Sequence, residues 1–205
     1  MFMAGRSAPP RRRLTADDWA AAALSAIAEN GLSAVAVEPL AVRLGTTKGS
    51  FYWHFASRAA LLEAALSRWE RQTTTDVAAR VRASAADPLA RLRLLIIEVV
   101  EMAESDRIGV ALLASAAHPA VAPVLARVTE QRLAIIAGLF AELGFPPAAA
   151  RRRALLAYSS YLGHAQLSHT TPELLPRDSG ARRAYLDDVL SVLTALPAAG
   201  SGHEV

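Results

Sequence analysis

The run from Leu40 to Phe55 reads L-A-V-R-L-G-T-T-K-G-S-F-Y-W-H-F, and it restricts the fold more than any other part of the chain. Val37 to Leu44 is long enough for about two helical turns, with Leu40, Ala41 and Leu44 forming one apolar stripe. Gly45 is predicted to end that helix, because glycine takes the left-handed conformation at little cost. Thr47 then stands as the N-cap of a second helix, whose first turn is Lys48, Gly49 and Ser50. Phe51 and Phe55 lie four residues apart and share an inward face. Lys48, Ser50, Tyr52, Trp53 and His54 are left to point elsewhere.

Two short helices joined by a glycine turn form a helix-turn-helix pattern, in which the second helix offers its first residues to base edges and its flanks to phosphates. Gly49 would let two backbones approach closely. Each residue also has a plainer reading: Tyr52 and Trp53 as core rings, Thr47 as a cap, Gly49 as a spacer, Lys48 and Arg58 as solvated charges, His54 as a packing or capping group. The combination points to DNA more than any one of them does.

The matching frame runs from Gly31 to Leu62, G-L-S-A-V-x-V-x-x-L-A-x-x-L-G-x-T-x-G-S-F-Y-W-H-F-x-S-R-x-x-L-L. It resembles the N-terminal domain of TetR-family transcriptional regulators, and its Y-W-H stretch is especially similar to the tetracycline-type repressors. The resemblance implies that Lys48, Gly49, Ser50, Tyr52 and Trp53 meet bases or groove walls, and that Thr47, His54 and Arg58 grip phosphates. Two departures stand out. Ala36 occupies a position where the family usually has a Thr or Ser cap, and Val37, Glu38 and Pro39 follow where polar or basic residues are common. The first helix of the motif is therefore a poor source of DNA contacts, although Glu38 is favoured electrostatically at a helix N-terminus and Pro39 is tolerated there.

Composition supports an all-α fold, since the 53% apolar content comes largely from alanine, and the periodic stretches divide it into about nine helices, three of them in an N-terminal helix-turn-helix domain. Net charge is only +3, so the position of charge must do what its total does not. Arg11, Arg12 and Arg13 follow Pro9 and Pro10 in a predicted flexible basic arm (residues 1–13), which would either track phosphates or remain a solvated tail. The first residues lack the apolar core of a signal peptide, and charges interrupt every apolar run before it reaches membrane-spanning length. A cytoplasmic protein with no membrane partner is expected. There is no cysteine, hence no disulfide or thiolate site.

The arm precedes a predicted helix capped by Thr15, with Trp19, Ala23 and Ile27 inward and an end near Gly31. Residues 14–56 make up the expected DNA-binding domain, and residues 57–205 a helical effector-binding and dimerisation domain. That second part opens with a long linking helix, Ser57 to Ala85, less regular across Thr73 to Thr75. Asp87 and Pro88 start a helix that turns Leu92, Leu95, Ile96, Val99 and Val100 inward, and Ile108 to Ala117 forms a shorter one. Val121 to Leu143 is apolar on more than one face and is predicted to be heavily buried. Ala148 to about Ser168 follows, then a loop over 169–180 and a last amphipathic helix through Leu186, Leu190, Leu193 and Leu196.

The last two helices carry more apolar surface than a chain of this size needs, and a twofold homodimer through Leu155, Leu162, Leu186, Leu190 and Leu193 would cover it, although packing within one chain is the alternative. A dimer would also hold two reading helices about 34 Å apart for a palindromic operator on double-stranded DNA. Similarity to the family implies an effector pocket for an unknown small molecule that loosens the grip on DNA. Met102, His118, Phe140, Tyr158, Tyr161 and His164 are candidate wall residues, though each is also a natural core residue.

No cofactor and no metal are expected: His164 and His169 are spaced five apart, with no acidic residue within a turn. An enzyme is disfavoured, because the sequence offers no metal-binding Glu-x-x-His, cysteine nucleophile or glycine-rich phosphate loop. The rival readings are a DNA-binding dimer without an effector and, more remotely, a helical-bundle enzyme.

Overall fold

The computed structural model describes residues 13–84 and 87–195. Arg11 and Arg12 of the basic arm, Ala85 and Leu196 lie outside the described residues. All regular structure among the described residues is helical. Helix α1 (Ala16–Asn30) begins with a reciprocal cap: the Asp18 amide donates to Thr15 Oγ1 at 3.2 Å and the Thr15 amide to Asp18 Oδ2 at 2.8 Å. Its stripe of Trp19, Ala23 and Ile27 is fully buried, as expected, and Gly31 ends it at φ 75°.

Helix α2 (Val37–Arg43) starts at Ala36 without a side-chain cap. At its end Gly45, at φ 64°, lets the Thr46 amide reach Ala41 O at 2.9 Å while its own amide reaches Val42 O at 3.0 Å. This paired closure satisfies the last carbonyls and aims the chain into α3 (Lys48–Tyr52). Helix α4 (Arg58–Glu70) is capped by Ser57, and it continues without a break through a π-helical turn (Arg71–Thr75) into α5 (Asp76–Ser84). The irregularity expected over Thr73 to Thr75 is thus a wide turn inside one rod.

Asp87 caps α6 (Pro88–Ser105), and Asp106 caps α7 (Arg107–Ala114). Helix α7 stops three residues short of its expected end, with His118 in the turn leading to α8 (Ala122–Glu142). Helix α9 (Pro147–Thr170) runs two residues past its expected end, and α10 (Ser179–Thr194), capped by Asp178, closes the described chain. Counting the α4–α5 rod as one gives nine helical units among the described residues.

Two apolar cores form. The first gathers Trp19, Ile27, Leu40, Phe51, Leu61 and Leu66, and it continues into Leu112, Val121 and Val128 of the later helices. The α2–α3 motif is therefore fused to α7 and α8 through a shared core. The second gathers Val77, Val81, Leu92, Phe140, Phe145 and Leu193 around α5, α6, α8, α9 and α10. Helix α8 departs from expectation, since only Val128, Leu139 and Phe140 are buried on it. Ile135 and Ile136, one from each of its two apolar faces, border a cleft, and alanines and Gly138 face outward.

Candidate nucleic-acid interface and internal cleft

The geometry of α3 follows from Phe51. This ring is fully buried, edge-on to Trp19 at 5.4 Å and to Tyr52 at 5.1 Å, and stacked on Phe55 at 5.7 Å. Pinning residues 51 and 55 inward leaves the rest of the turn no inner face to occupy. Trp53 is 84% exposed and Tyr52 57% exposed, which removes the reading of these rings as core. Thr47, Gly49, Ser50, Trp53 and His54 line an open groove together with Leu44, Gly45 and Thr46, and with Arg13 and Leu14 at its edge. Leu14 was not singled out by sequence, whereas Arg13 ends the arginine run expected either to track phosphates or to remain a solvated tail.

Thr47 has the extended backbone of an N-cap, but its hydroxyl makes no capping bond and stays available. A Cβ added at Gly49 would meet only Thr47 Oγ1, at an ordinary 3.6 Å, so the fold does not require glycine there. Lys48 Nζ donates to Glu38 Oε1 at 2.9 Å. That hydrogen bond, with the ammonium charge behind it, holds the Glu38 carboxyl below its usual range, and Glu38 in turn raises the Lys48 ammonium. An acidic side chain thus sits against the one lysine of α3.

Arg58 is placed differently from the phosphate grip that the resemblance implied. Its Nε donates to Val35 O and its Nη2 to Leu32 O at 2.9 Å, clamping α4 to the turn between α1 and α2. Two carbonyls of that turn take up the guanidinium, Leu32 O while also accepting the Val35 amide at 3.2 Å, so Arg58 braces the motif.

Further from the motif, a partly open cleft with about 70 Å³ of space that water can enter lies between the π turn, α5, α6, α8 and α9. Met102, Tyr158 and Tyr161 line it, as the sequence suggested. The other three candidates do not. His118 accepts the Ala120 amide on Nδ1 at 3.2 Å in the α7–α8 turn. Phe140 is fully buried, edge-on to Phe145 at 5.7 Å, because it faces the second core. His164 is buried behind Tyr161, 3.4 Å from Glu104 and stacked on Tyr185. Sequence reasoning missed Arg132, Thr73 and Thr74, whose partners are about 60 residues away along the chain and leave no local pattern. Burial raises the Tyr161 phenol, with Arg132 opposing, so that hydroxyl stays neutral.

Of the expected dimer residues, Leu190 and Leu193 are buried within the chain itself, where they fill the second core. Leu162 and Leu186 are half-buried, and Leu155 is 56% exposed. The face of α9 that lies open carries Leu155, Leu156, Ser159, Ser160, Gly163 and Leu167, and that of α10 carries Ala184, Asp188 and Val192. Among the described residues no helix is long and apolar enough to cross a membrane, and no cluster of three or more His, Asp or Glu is placed to hold a metal ion.

Comparison with known proteins converges on the motif and the fold. Residues 20–65 match the sequence model of the bacterial regulatory proteins of the tetR family. No curated protein matches the chain. A transcriptional regulator from Rhodococcus sp. Rha1 superposes with a TM-score of 0.66 at 22% identity, covering 88% of this chain and 94% of that one. A protein described as a TetR-family transcriptional regulator of Rhodococcus sp. gives 0.64 at 21% identity, over 88% and 98% of the two chains. The multidrug binding protein EbrR, solved with imidazole, gives 0.58 at 26% identity, over 93% and 98%. Residues 20–65 thus carry the sequence pattern of the bacterial regulatory proteins of the tetR family, on an all-helical body whose fold is similar to that of solved transcriptional regulators.

Proposed function

We propose that this chain is a ligand-responsive transcriptional repressor, cytoplasmic, that binds a palindromic operator as a homodimer and is released by a small molecule. The observation that carries the DNA part is the outward pair of Tyr52 and Trp53, with half-buried Ser50 nearby, at the end of a helix whose inner face is locked by Phe51. Thr47, Lys48, Gly49 and His54 complete the reading surface, with Arg13 on its edge. Residues 14–56 do the reading. Residues 57–205 hold the effector and the partner subunit, and the rod from Ser57 joins the two tasks, since Thr73, Thr74, Val77 and Ala78 of the same rod wall the cleft. The open faces of α9 and α10, small residues flanked by leucines, suit a four-helix contact between two copies, which would set the half-sites about one helical turn apart. The cleft favours this reading over a constitutive DNA-binding dimer, for which a filled body would serve as well.

Selection of bound duplexes from a random pool tests it, paired with anisotropy titrations at several salt concentrations. The expected result is an inverted repeat with steeply salt-dependent binding. Trp53→Ala should weaken binding by about tenfold or more, the scale of a lost base or groove contact, without moving the thermal midpoint. A monomer indifferent to every duplex at low salt would end the proposal.

A further inference from the structure

The cleft is walled by Leu92, Leu95, Val99, Met102, Ile136 and other apolar groups, and Arg132 is the one charged side chain among its described lining residues. Arg132 is half-buried and has no carboxylate within ion-pair distance among the described residues. By contrast, Arg91, Arg93, Arg127 and Arg182 of the same body each meet one. Neutral groups hold Arg132 instead: Nε donates to Thr74 Oγ1 at 3.0 Å, and Nη2 to Thr73 Oγ1 at 2.9 Å and to Thr73 O at 3.3 Å. The guanidinium also lies 5.5 Å from the Trp69 ring centre and 5.7 Å from that of Tyr161. Asp106 shares an adjoining pocket with Arg132, but its oxygens are taken by the amides of Ile108 and Gly109 and by the Trp69 indole. A guanidinium held this way in an apolar wall lacks the counter-charge that usually offsets its desolvation.

The acceptors that occupy Arg132 belong to the π turn. Thr73 Oγ1 also donates to Trp69 O at 2.9 Å, so the two threonines and Arg132 fasten the wide turn to α8. π turns are uncommon register faults and cluster at functional sites. One that joins α4, which is clamped to the reading motif by Arg58, to α5, which walls the cleft, can convert a local change into a rotation of α4.

Building on the effector-responsive reading above, we propose that the cleft takes an amphiphile with an apolar body and one carboxylate-like anionic group, and that this group draws the N–H donors of Arg132 away from Thr73 and Thr74, releasing the π turn that connects the cleft to the DNA-reading head. The anion makes charge-assisted bonds that neutral acceptors cannot match. The apolar body fills the space between α6, α8 and α9.

Three probes with one eight-carbon body test this on the full chain: octanoate, methyl octanoate and octyltrimethylammonium, each followed by calorimetry and by release of a labelled duplex selected as above, at matched ionic strength. Octanoate is expected to bind and to release the duplex, the ester to bind at least about tenfold more weakly, and the cation not to bind. Arg132→Gln should erase the preference for octanoate over the ester. Thr74→Val keeps the guanidinium, removes a competing acceptor and should tighten octanoate severalfold; it decides the matter if Arg132→Gln does not fold. No binding of octanoate, equal binding of the ester, or weaker octanoate binding by Thr74→Val would each overturn the proposal. Release of the duplex by the ester or the cation alone would overturn it while leaving the effector-responsive reading intact. Octanoate bound through Arg132 with duplex affinity unchanged would keep the anion site but overturn both the release of the π turn and the effector-responsive reading.

Discussion

The reading head and the cleft-bearing body are built from similar residues and packed to different ends. In the head, Trp19, Ile27, Val35, Leu40, Phe51 and Leu61 are all essentially inaccessible, and rings meet at 5.1 to 5.7 Å. In the body, α6, α8 and α9 meet around open space, with Ile96, Val99, Met102, Ile135 and Ile136 only partly covered. Under the proposed function, dense packing would fix the few side chains that meet a duplex, and slack packing would leave room for a ligand and for two arrangements of the rod.

The sharpest way to break this contrast is to remove one large side chain from each region. Phe51→Ala should cost about 3–5 kcal/mol, the range for emptying a close-packed aromatic site. Met102→Ala removes a side chain that already borders the cleft, so its cost should be well below that. Thermal or denaturant unfolding of the two variants checks the difference. Equal losses would mean that the body is packed as tightly as the head.

Arg58 sharpens the contrast from the side of the head. Arg58→Met keeps much of the stem and loses the hydrogen bonds to Val35 O and Leu32 O, so stability should fall by about 1–3 kcal/mol, with weaker duplex binding following from a loosened motif. Were Arg58 only a phosphate contact, the melting temperature would stay put and only the salt slope of binding would change.

The motif was legible in the sequence because its determinants are local. Gly45 closes α2, Thr47 opens α3, and the four-residue spacing of Phe51 and Phe55 sets which side chains turn out, so the inward and outward division is read from neighbours. The bracing role of Arg58 was not legible because its acceptors, Leu32 and Val35, lie more than 20 residues back, in a turn that no periodicity announces. The cleft was half legible. Tyr158 and Tyr161 were found as large residues among alanines, whereas Phe140 and His164 have the same character and face other neighbours. Which face of a helix meets a cavity depends on how the helices cross, and composition does not encode that angle. Leu190 and Leu193 were assigned to the subunit contact for the same reason: an amphipathic stripe shows that a face is covered but not by what.

The joint between the two regions carries a pH signature. Arg127 of α8 donates to Glu70 at the end of α4 through Nε at 2.9 Å and Nη2 at 2.5 Å, and this pairing lowers the Glu70 carboxyl against the opposing effect of its own burial. A carboxyl with a folded pKa below its unfolded one stabilises the fold above the unfolded value, and that contribution is lost as pH falls through the lowered folded value. Arg127 is half exposed, so the contribution should be on the order of 1 kcal/mol. Glu70→Gln is expected to flatten the acid limb of stability against pH by that amount while changing neutral-pH duplex binding little. An unaltered acid limb would show that the joint rests on the shared apolar core alone.

The smallest expected effect concerns Glu38, the acidic residue beside the reading helix. Its carboxylate occupies the ammonium of Lys48 and adds negative charge where phosphates approach, so it should act as a brake on binding. Glu38→Gln keeps the shape and removes the charge, freeing Lys48 to displace one more counterion. Duplex affinity should rise severalfold at low salt, and the slope of log affinity against log salt should steepen by about 0.9. Because Lys48 holds this carboxyl below its usual range, the brake persists at neutral pH, and wild-type affinity should rise only as pH falls through the lowered value, a limb that Glu38→Gln lacks. The opposite outcome is equally readable. If Glu38→Gln binds its selected duplex more weakly and tolerates changes at one base pair, Glu38 is accepting from a cytosine amine, and the first helix of the motif, set aside for its uncapped start at Ala36, reads sequence after all.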